Sequence, residues 1–288
     1  MRILVTGVAG QLGYDVCREL KERGYTDVLG IDRNVLDITK EQDVKEFISK
    51  FKPDVVMHNA AWTAVDKAED MQEDCYDVNV LGTKYLAEAS ENVGAKLVYI
   101  STDYVFDGKG EDFFEVDDDK NPLSVYGRTK YLGELEAMKC KKHFIVRISW
   151  VFGVNGNNFV KTMLRLSETK NELNVVCDQI GSPTYTYDLS KLLCDMIATE
   201  KYGIYHATNE DICSWYEFAK EIFKIAGKDM KVNPVTTAEY TATKAVRPLN
   251  SRMSKSSLDE AGFNRLPSWK DALNRYIKQE LEILTKDC

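Results

Sequence analysis

The sequence predicts an α/β fold, in which a doubly wound parallel sheet is joined to a smaller, mainly C-terminal lobe. Two observations favour this fold class. Short apolar runs alternate with helical patterns through the first two thirds of the chain, and each run is almost continuously apolar. Strands that alternate with helices form parallel sheets, and continuous apolar strands are typical of sheets that helices cover on both faces.

Six apolar runs are the candidate strands of this sheet. They comprise residues 3–5, 28–31, 55–58, 97–100, 144–148 and 203–206. Between the first two runs, Leu12, Val16 and Leu20 recur every four residues and Gly24 follows them. We therefore expect a helix that ends near this glycine. A second helical face, between the third and fourth runs, is formed by Val78, Leu81, Tyr85 and Ala89.

The last third of the chain has a different pattern. Ser214 and Glu217 have the spacing of a capping box, which predicts a helix, and Ser268 can cap a final helix. Between these helices, residues 232–267 hold three of the six prolines and little regular pattern. We therefore predict a first domain over residues 1–152, completed by about 176–208, and a lobe over residues 209–288 with about 153–175.

The composition narrows the class of protein. The formal net charge is −8, which argues against broad nucleic-acid binding because a positive surface is what attracts phosphates. No run approaches the roughly 18 apolar residues that a bilayer-spanning helix needs. The chain begins with a strand-like segment and lacks the pattern of a secretory signal. We expect no membrane association and a cytoplasmic location.

Cysteine and histidine usage does not suggest a metal centre. The seven cysteines are scattered from Cys17 to Cys288 without a Cys-x-x-Cys pair. This pattern is typical of reduced thiols and not of a disulfide framework or a zinc site. His58, His143 and His206 all lie in apolar runs, so we expect them on buried strands. No metal site is predicted.

A glycine-rich turn follows the first candidate strand. Gly7, Gly10 and Gly13 stand between this strand and the first helix. Glycines let the backbone turn tightly and approach a pyrophosphate, and a helix N-terminus offers free N–H groups to the anion. The spacing Gly-x-x-Gly-x-x-Gly departs from the commoner Gly-x-Gly-x-x-Gly. The strand before it and the helix after it nevertheless favour a Rossmann-type dinucleotide site.

The end of the second strand carries two conflicting signals about the cofactor. Asp32 lies 19 residues after Gly13 and can accept hydrogen bonds from the ribose hydroxyls, which favours NAD. Arg33 can pair with a 2′-phosphate, which favours NADP. Both residues could instead be loop surface; of the two cofactors we favour NADPH over NADH. The neighbouring pocket positions are Asp37, Ile38, Ala60 and Ala61.

Tyr126 and Lys130 are the candidate reaction centre, because their spacing places them on one face of a helix. A phenol with a pKa of about 10 is a poor acid near neutrality, and a nearby ammonium lowers that pKa. Tyr126 could then protonate a carbonyl oxygen as hydride reaches the carbon. Upstream, Thr102 follows the fourth strand and lies at the carboxyl edge of the sheet, where ligands bind in such folds. Its hydroxyl could hold the carbonyl oxygen; the alternative is a strand-end hydrogen bond.

These motifs resemble those of the extended short-chain dehydrogenase/reductase family, and more narrowly the dTDP-4-dehydrorhamnose reductase family. The matching segments follow the family order and comprise residues 6–13, 36–39, 60–69, 101–108, 122–130, 147–153, 178–184 and 247–252. The segments at 63–66 and 101–108 are much more specific for this family than the glycine motif is. The resemblance implies hydride transfer from NAD(P)H to C4 of dTDP-4-dehydro-L-rhamnose, giving dTDP-L-rhamnose for polysaccharide biosynthesis.

The resemblance also implies individual roles. Thr102, Tyr126 and Lys130 would be catalytic, with Tyr126 as the acid. The substrate-binding residues would be Thr63, Val65, Asp103, Trp150 and Arg247. By residue type alone, core packing is the preferred explanation for Trp150. For Arg247, an exposed surface arginine and a substrate contact are equally expected. The cofactor-binding residues would be Gly7, Gly10, Gln11, Leu12, Gly13, Asp32, Arg33, Asp37, Ile38, Ala60, Ala61, Tyr126 and Lys130.

Other functions on the same scaffold stay open. One is a nucleotide-sugar epimerase or dehydratase, which retains its cofactor through the cycle. Another is a non-catalytic NADP-binding regulatory subunit, like the similar β subunit of methionine adenosyltransferase. The expected partner is a nucleotide sugar, and a homodimer is left open. Some relatives dimerise through acidic side chains and Mg²⁺; Asp15 and Asp188 lie in comparable regions, but Mg²⁺ is not predicted.

Overall fold

The computed structural model describes residues 1–240 and 243–286, with side chains in the last helix described up to residue 279. The strands of this part are β1 (Ile3–Thr6), β2 (Val28–Ile31), β3 (Val55–His58), β4 (Lys96–Thr102), β5 (His143–Ile148), β6 (Val151–Phe152), β7 (Glu172–Val176), β8 (Ile180–Gly181), β9 (Thr184–Tyr185), β10 (Gly203–His206), β11 (Asn209–Glu210), β12 (Cys213–Ser214), β13 (Lys231–Val235), β14 (Asn250–Ser251) and β15 (Leu266–Ser268). The helices are α1 (Gln11–Glu22), α2 (Glu41–Phe51), α3 (Val65–Ala68), α4 (Gln72–Tyr76), α5 (Gly82–Val93), α6 (Val125–Ala137), α7 (Phe159–Leu166), α8 (Thr186–Ile197), α9 (Trp215–Ile225), α10 (Ser256–Glu260) and α11 (Trp269–Lys286).

The central sheet has six parallel strands in the order β10-β5-β4-β3-β1-β2. All six predicted strands are present in it, and only β1, β4 and β5 extend beyond the predicted bounds. The doubly wound parallel sheet is therefore confirmed. The strand order reverses beside β1, which pairs with both β2 and β3. A crevice opens at such a point outside the carboxyl ends of the strands.

Helices cover both faces of this sheet because successive strand residues point to opposite sides. On one face, Ile3 and Val5 pack with apolar side chains of α1 and α8. On the other face, Leu4 packs in a cluster with residues of α2 and α5. These strand residues are fully buried, as the continuous apolar runs predict.

Two predicted helix boundaries are confirmed by their hydrogen bonds. Helix α1 ends at Glu22, two residues before Gly24, whose φ of +80° favours glycine. At the start of α9, Ser214 Oγ accepts the Glu217 N–H at 3.1 Å. In return, the Glu217 carboxylate accepts the Ser214 N–H at 2.7 Å. This is the reciprocal capping box.

Two segments differ from the sequence prediction. Before α5, residues Asp77–Leu81 form one turn of π-helix, which a simple four-residue repeat does not predict. The stretch 232–267 holds more regular structure than expected, namely parts of β13 and β15 with β14 and α10. Strand β13 pairs in parallel with β7 despite Pro234, because an edge strand tolerates a residue without an N–H. Such short elements have no recognisable period in the sequence.

A third apolar cluster lies outside the central sheet. It joins α7, α9 and α11 to the β7–β13 pair, and within it Phe152 stacks on Tyr185 and packs at an angle against Phe218. The domain boundaries given above stay a prediction. No helix in the described ranges is both long enough and apolar enough to cross a membrane.

The three histidines lie on strands of the central sheet, as expected. His58 and His206 are buried and His143 is half-buried. Six cysteines are free thiols, whereas Cys288 lies outside the described residues. Among the residues described, no group of three or more His, Cys, Asp and Glu side chains could hold a metal ion.

Candidate active site

Two adjoining cavities open at the carboxyl edge of the central sheet. The larger, of about 510 Å³, contains Thr102, Tyr126 and Lys130 together with the glycines of the first turn. The smaller, of about 420 Å³, lies against the ends of β1 and β2. Gly7 and Ala61 line both cavities. Together they form one cleft at the point where the strand order reverses.

The glycine turn is shaped so that side chains would not fit. Gly7 has φ of +70°, and a Cβ there would lie 2.8 Å from the backbone nitrogen of Ala60. A Cβ on Gly13 would lie 2.3 Å from the carbonyl oxygen of Gly7. Gly10 is the N-cap of α1 and supplies no side-chain cap. The first N–H groups of α1 are thus available to an anion such as a pyrophosphate.

The smaller cavity has the polar groups expected around an adenosine ribose. Asp32, Arg33 and Asp37 line it together with the apolar side chains of Leu36 and Ile38. Arg33 is 80% exposed and lies 3.3 Å from Asp37, so its guanidinium is free to turn toward a ligand. The cleft has the shape and the hydrogen-bond donors that a dinucleotide requires. Its smaller cavity offers both acidic and basic side chains.

Helix α6 brings the reaction-centre residues together. Its N-cap, Ser124, accepts the Gly127 N–H at 3.1 Å, which fixes the start of the helix one residue before Tyr126. A Cβ on Gly127 would lie 2.3 Å from the Tyr104 carbonyl oxygen, so the helix lies directly against the turn that follows β4. This close approach places Tyr126 beside Thr102.

The pKa of Tyr126 differs from the sequence expectation. Burial raises this pKa, and a hydrogen bond with Thr102 only partly opposes the change. The expected lowering by the Lys130 ammonium is therefore wrong for the protein without ligands. The reason is that Lys130 is itself buried, and its pKa falls to about 7 because burial disfavours the ammonium. Tyr126 is a protonated phenol at neutral pH.

Asp103 lies behind Thr102 rather than free in the cavity. Its Oδ1 accepts the Thr102 hydroxyl at 2.9 Å, and its Oδ2 accepts the Ser251 hydroxyl at 2.5 Å. Burial raises the pKa of Asp103 to about 6, against these hydrogen bonds. Asp103 also lines the larger cavity, so it stays a candidate substrate residue with both oxygens already engaged.

Three of the predicted sugar-binding residues line the larger cavity. Thr63, Val65 and Trp150 all line it. Trp150 has φ of +50° and stacks on Trp215 with ring centroids 3.8 Å apart. Positive φ is rare for a bulky residue and is held only by strong surrounding contacts. Trp215 has no place in the predicted motifs, because its partner lies 65 positions away in the chain.

Arg247 lies apart from this cavity. Its guanidinium donates to the Tyr104 hydroxyl at 3.1 Å and to the Asp66 carboxylate at 2.8 Å. It lines a third, largely apolar cavity of about 280 Å³ that also contains Phe159 and Trp215. The structure therefore places Arg247 and the reaction centre on neighbouring cavities.

Asn79 is a site-shaping residue that the sequence analysis missed. Its Oδ1 accepts the Trp62 N–H at 2.8 Å, and its Nδ2 donates to the Trp62 carbonyl and the Thr129 hydroxyl. It thereby ties the loop after β3 to α6. The sequence signal for it was a polar residue directly after Val78 in the predicted helical segment, and the structure shows that this residue is buried.

Asp15 and Asp188 both accept hydrogen bonds from other side chains of the chain. Asp15 is buried and accepts a hydrogen bond from Thr186. Asp188 accepts two hydrogen bonds from Arg275, at 2.8 and 2.7 Å, and one from Asn209 at 2.9 Å. These contacts join α1 and α8 to the elements that follow.

Comparison with known proteins agrees with this geometry. The sequence model of the RmlD substrate binding domain family matches residues 1–282. A dTDP-4-dehydrorhamnose reductase of Aggregatibacter actinomycetemcomitans is 44% identical over 94% of this chain and 97% of its own. The crystal structure of a dTDP-4-dehydrorhamnose reductase from Clostridium acetobutylicum is similar at a TM-score of 0.94, with 44% identity over 97% of this chain and 99% of that one. The Bacillus anthracis enzyme, solved with NADP, gives a TM-score of 0.93 and 43% identity over 96% and 99%.

Proposed function

Because the chain belongs to the RmlD substrate binding domain family, we propose that it is an NADPH-dependent dTDP-4-dehydrorhamnose reductase. In this reaction C4 of dTDP-4-dehydro-L-rhamnose is reduced to give dTDP-L-rhamnose, a precursor for polysaccharide biosynthesis. One observation carries the proposal: Thr102, Tyr126 and Lys130 meet in the cavity that the glycine turn enters. NADPH supplies the hydride when it is bound there.

The three residues divide the work of protonation. Tyr126 holds a proton at neutral pH because burial raises its pKa, and it gives this proton to the carbonyl oxygen as C4 is reduced. Thr102, hydrogen-bonded to Tyr126, orients that oxygen. The Lys130 ammonium lies one helical turn away and stabilises the phenolate that Tyr126 becomes.

The glycine turn and the smaller cavity would hold the cofactor. The free N–H groups at the start of α1 suit a pyrophosphate. Arg33 has the exposure and charge to meet a 2′-phosphate, and Asp32 lies beside it for the ribose. The choice of NADPH follows from this arginine and from the NADP complex of the Bacillus anthracis relative.

The sugar would lie between the reaction centre and Trp150, whose indole covers the apolar face of a deoxysugar. Thr63, Val65 and Asp103 complete this part of the cavity. We place the nucleotide in the third cavity, where Phe159 and Trp215 offer apolar and stacking surface and Arg247 offers a cation for the diphosphate. The lobe over residues 209–288, with about 153–175, would in this way position the substrate.

A spectrophotometric assay tests the proposal. Purified protein is mixed with NADPH and enzymatically made dTDP-4-dehydro-L-rhamnose, and absorbance and product are followed together. We expect one NADPH consumed for each dTDP-L-rhamnose formed. Product without net NADPH consumption would indicate an epimerase or dehydratase, and cofactor binding without turnover would indicate a regulatory subunit.

A tyrosine variant tests the assignment of the acid. Tyr126→Phe should lower kcat by about 10²–10⁴-fold, the usual contribution of a general acid, while NADPH still binds. Tyr76→Phe is the control, because Tyr76 is 41% exposed and lies outside the cavity. Full activity of Tyr126→Phe would refute the mechanism.

A further inference from the structure

The ammonium of Lys130 lies over an aromatic ring. Its Nζ is 4.0 Å from the ring centroid of Tyr99 on β4. Tyr99 is completely buried, and its hydroxyl donates to the Lys130 carbonyl oxygen at 3.1 Å. The same side chain therefore contacts both ends of Lys130. A Cβ on Gly133 would lie 2.3 Å from this hydroxyl, so a glycine leaves the space that the contact needs.

No anion neutralises Lys130 at close range. In the described part of the chain, no acidic side chain lies within ion-pair distance of its ammonium. Glu134, one turn further along α6, is the acidic residue that favours the ammonium most strongly. Both of its oxygens accept hydrogen bonds from Arg147 at 2.8 Å. Its charge is thus already balanced by another cation.

Three further titratable groups near Lys130 are uncharged. Cys75, from α4, is a thiol because burial raises its pKa. His58, from β3, is neutral because burial lowers its pKa to about 3. Tyr126, on the same helix as Lys130, is a protonated phenol. Among the described residues, the negative face of the Tyr99 ring is the stabilising group in direct contact with the ammonium, and Glu134 acts from beyond ion-pair distance.

We propose that Tyr99 is a positioning residue, which keeps Lys130 charged through a cation–π contact and fixes its place on α6 through the hydroxyl. The role rests on the proposed function in one respect, namely that Lys130 serves the reaction. The effect on the charge of Lys130 is independent of any reaction. A fully desolvated cation–π contact raises the pKa of the cation by about one unit.

The sign of the effect follows from the chemistry. Burial lowers the pKa of Lys130 to about 7, and the ring face favours the charged form and so opposes this. Removing the ring electrons lowers the pKa further. A smaller fraction of Lys130 is then charged at pH 7, and the high-pH limb of the kcat/KM profile moves to lower pH.

The test measures the pKa of Lys130 by NMR in the full chain with ¹³Cε-labelled lysine. Lys130→Met identifies the signal by its loss. Tyr99→Phe keeps the ring and loses the hydroxyl, and we expect it to leave the pKa within a few tenths of wild type. Tyr99→Leu removes the ring, and we expect the pKa to fall by about one unit.

A fluorinated ring separates electrostatics from shape, and it also covers the case in which Tyr99→Leu does not fold. Perfluorinated phenylalanine at position 99 has nearly the shape of phenylalanine but an inverted ring charge distribution. We expect a fall in the pKa of Lys130 relative to Tyr99→Phe, with an equal shift of the kcat/KM profile. An unchanged pKa in the fluorinated variant overturns the proposal. If wild type shows no turnover, the proposed function fails, and the NMR result still decides the role of Tyr99.

Discussion

The Thr102 hydroxyl donates a hydrogen bond to Asp103 Oδ1 at 2.9 Å, and both residues are buried where β4 ends. This hydroxyl has a single proton, so Thr102 can donate to a substrate carbonyl oxygen only when the proton turns away from Asp103. Tyr126 lies beside this hydroxyl, and the Ser251 hydroxyl holds the other oxygen of Asp103. Asp103 and Ser251, from distant parts of the chain, thus determine how the Thr102 hydroxyl is oriented.

Removing the Thr102 hydroxyl tests this arrangement. Thr102→Val is nearly isosteric, and we expect kcat to fall by about 10²-fold because one oriented hydrogen bond at the carbonyl oxygen is lost. Thr102→Ser keeps the hydroxyl and should retain activity within about tenfold. Steady-state kinetics and the NADPH dissociation constant measure both. Wild-type kcat in Thr102→Val would leave this residue with only a strand-end role.

Arg33 should determine the preference between cofactors. Its guanidinium is 80% exposed and only loosely paired with Asp37, so it can form charge-assisted hydrogen bonds to a 2′-phosphate. Arg33→Ala is expected to weaken NADPH binding about tenfold and to leave NADH binding unchanged. Titration of cofactor fluorescence measures both. Arg128→Ala, an exposed arginine outside the smaller cavity, is the control; equal losses for both cofactors would contradict the assignment.

Removing one partner of the buried ion pair between Arg147 and Glu134 should strongly destabilise the protein. Both side chains are almost fully buried, at 1% and 0% exposure. Arg147→Met leaves the Glu134 carboxylate buried without its cation, which should lower the free energy of unfolding by about 3–5 kcal/mol. Urea denaturation measures the change.

The matched controls for this pair are a double variant and an exposed pair. Arg147→Met with Glu134→Leu should recover most of the stability, since no charge is then left unpaired. Arg265→Met should change stability little, because Arg265 and Asp259 are both over 40% exposed. A small loss in Arg147→Met would show that the carboxylate finds another partner or a proton.

His206 should make the fold sensitive to acid. Its Nδ1 donates to the Ser254 carbonyl at 3.0 Å, so its Nε2 has a free lone pair toward Arg147, 3.3 Å away. Burial and Arg147 lower the pKa of His206 to about 3, below about 6.5 in the unfolded chain. The unfolded chain therefore binds the proton first, and the stability present above pH 6.5 is lost as pH falls toward 3.

The size of this effect is about 2 kcal/mol between pH 6.5 and pH 5. Urea denaturation of wild type and of His206→Gln at several pH values measures it. Between pH 6.5 and pH 5, His206→Gln should therefore lose about 2 kcal/mol less stability than wild type. His143→Gln is the control, because His143 is only half-buried. Parallel slopes for wild type and His206→Gln would show that His206 does not stay neutral.

Much of the site was predictable from local pattern. The strand positions, the glycine turn and the spacing of Tyr126 and Lys130 are properties of short segments, and the structure has them where the sequence predicts. Asn79, Trp215 and Tyr99 were not predictable in the same way. Each looks like an ordinary core or helix residue until its contacts with a distant segment are known.

By itself, the sequence determined the order of strands and helices, the cofactor turn and the residue types that reach the carboxyl edge of the sheet. These follow from periodicity and from glycine geometry, which act over a few residues. Only the tertiary structure decided the charge states. Lys130 has a lowered pKa, and Tyr126 a raised one, because β4, α4 and α6 exclude water around them. A pKa depends on solvent and on neighbours from the whole fold, and neither is written in a local pattern.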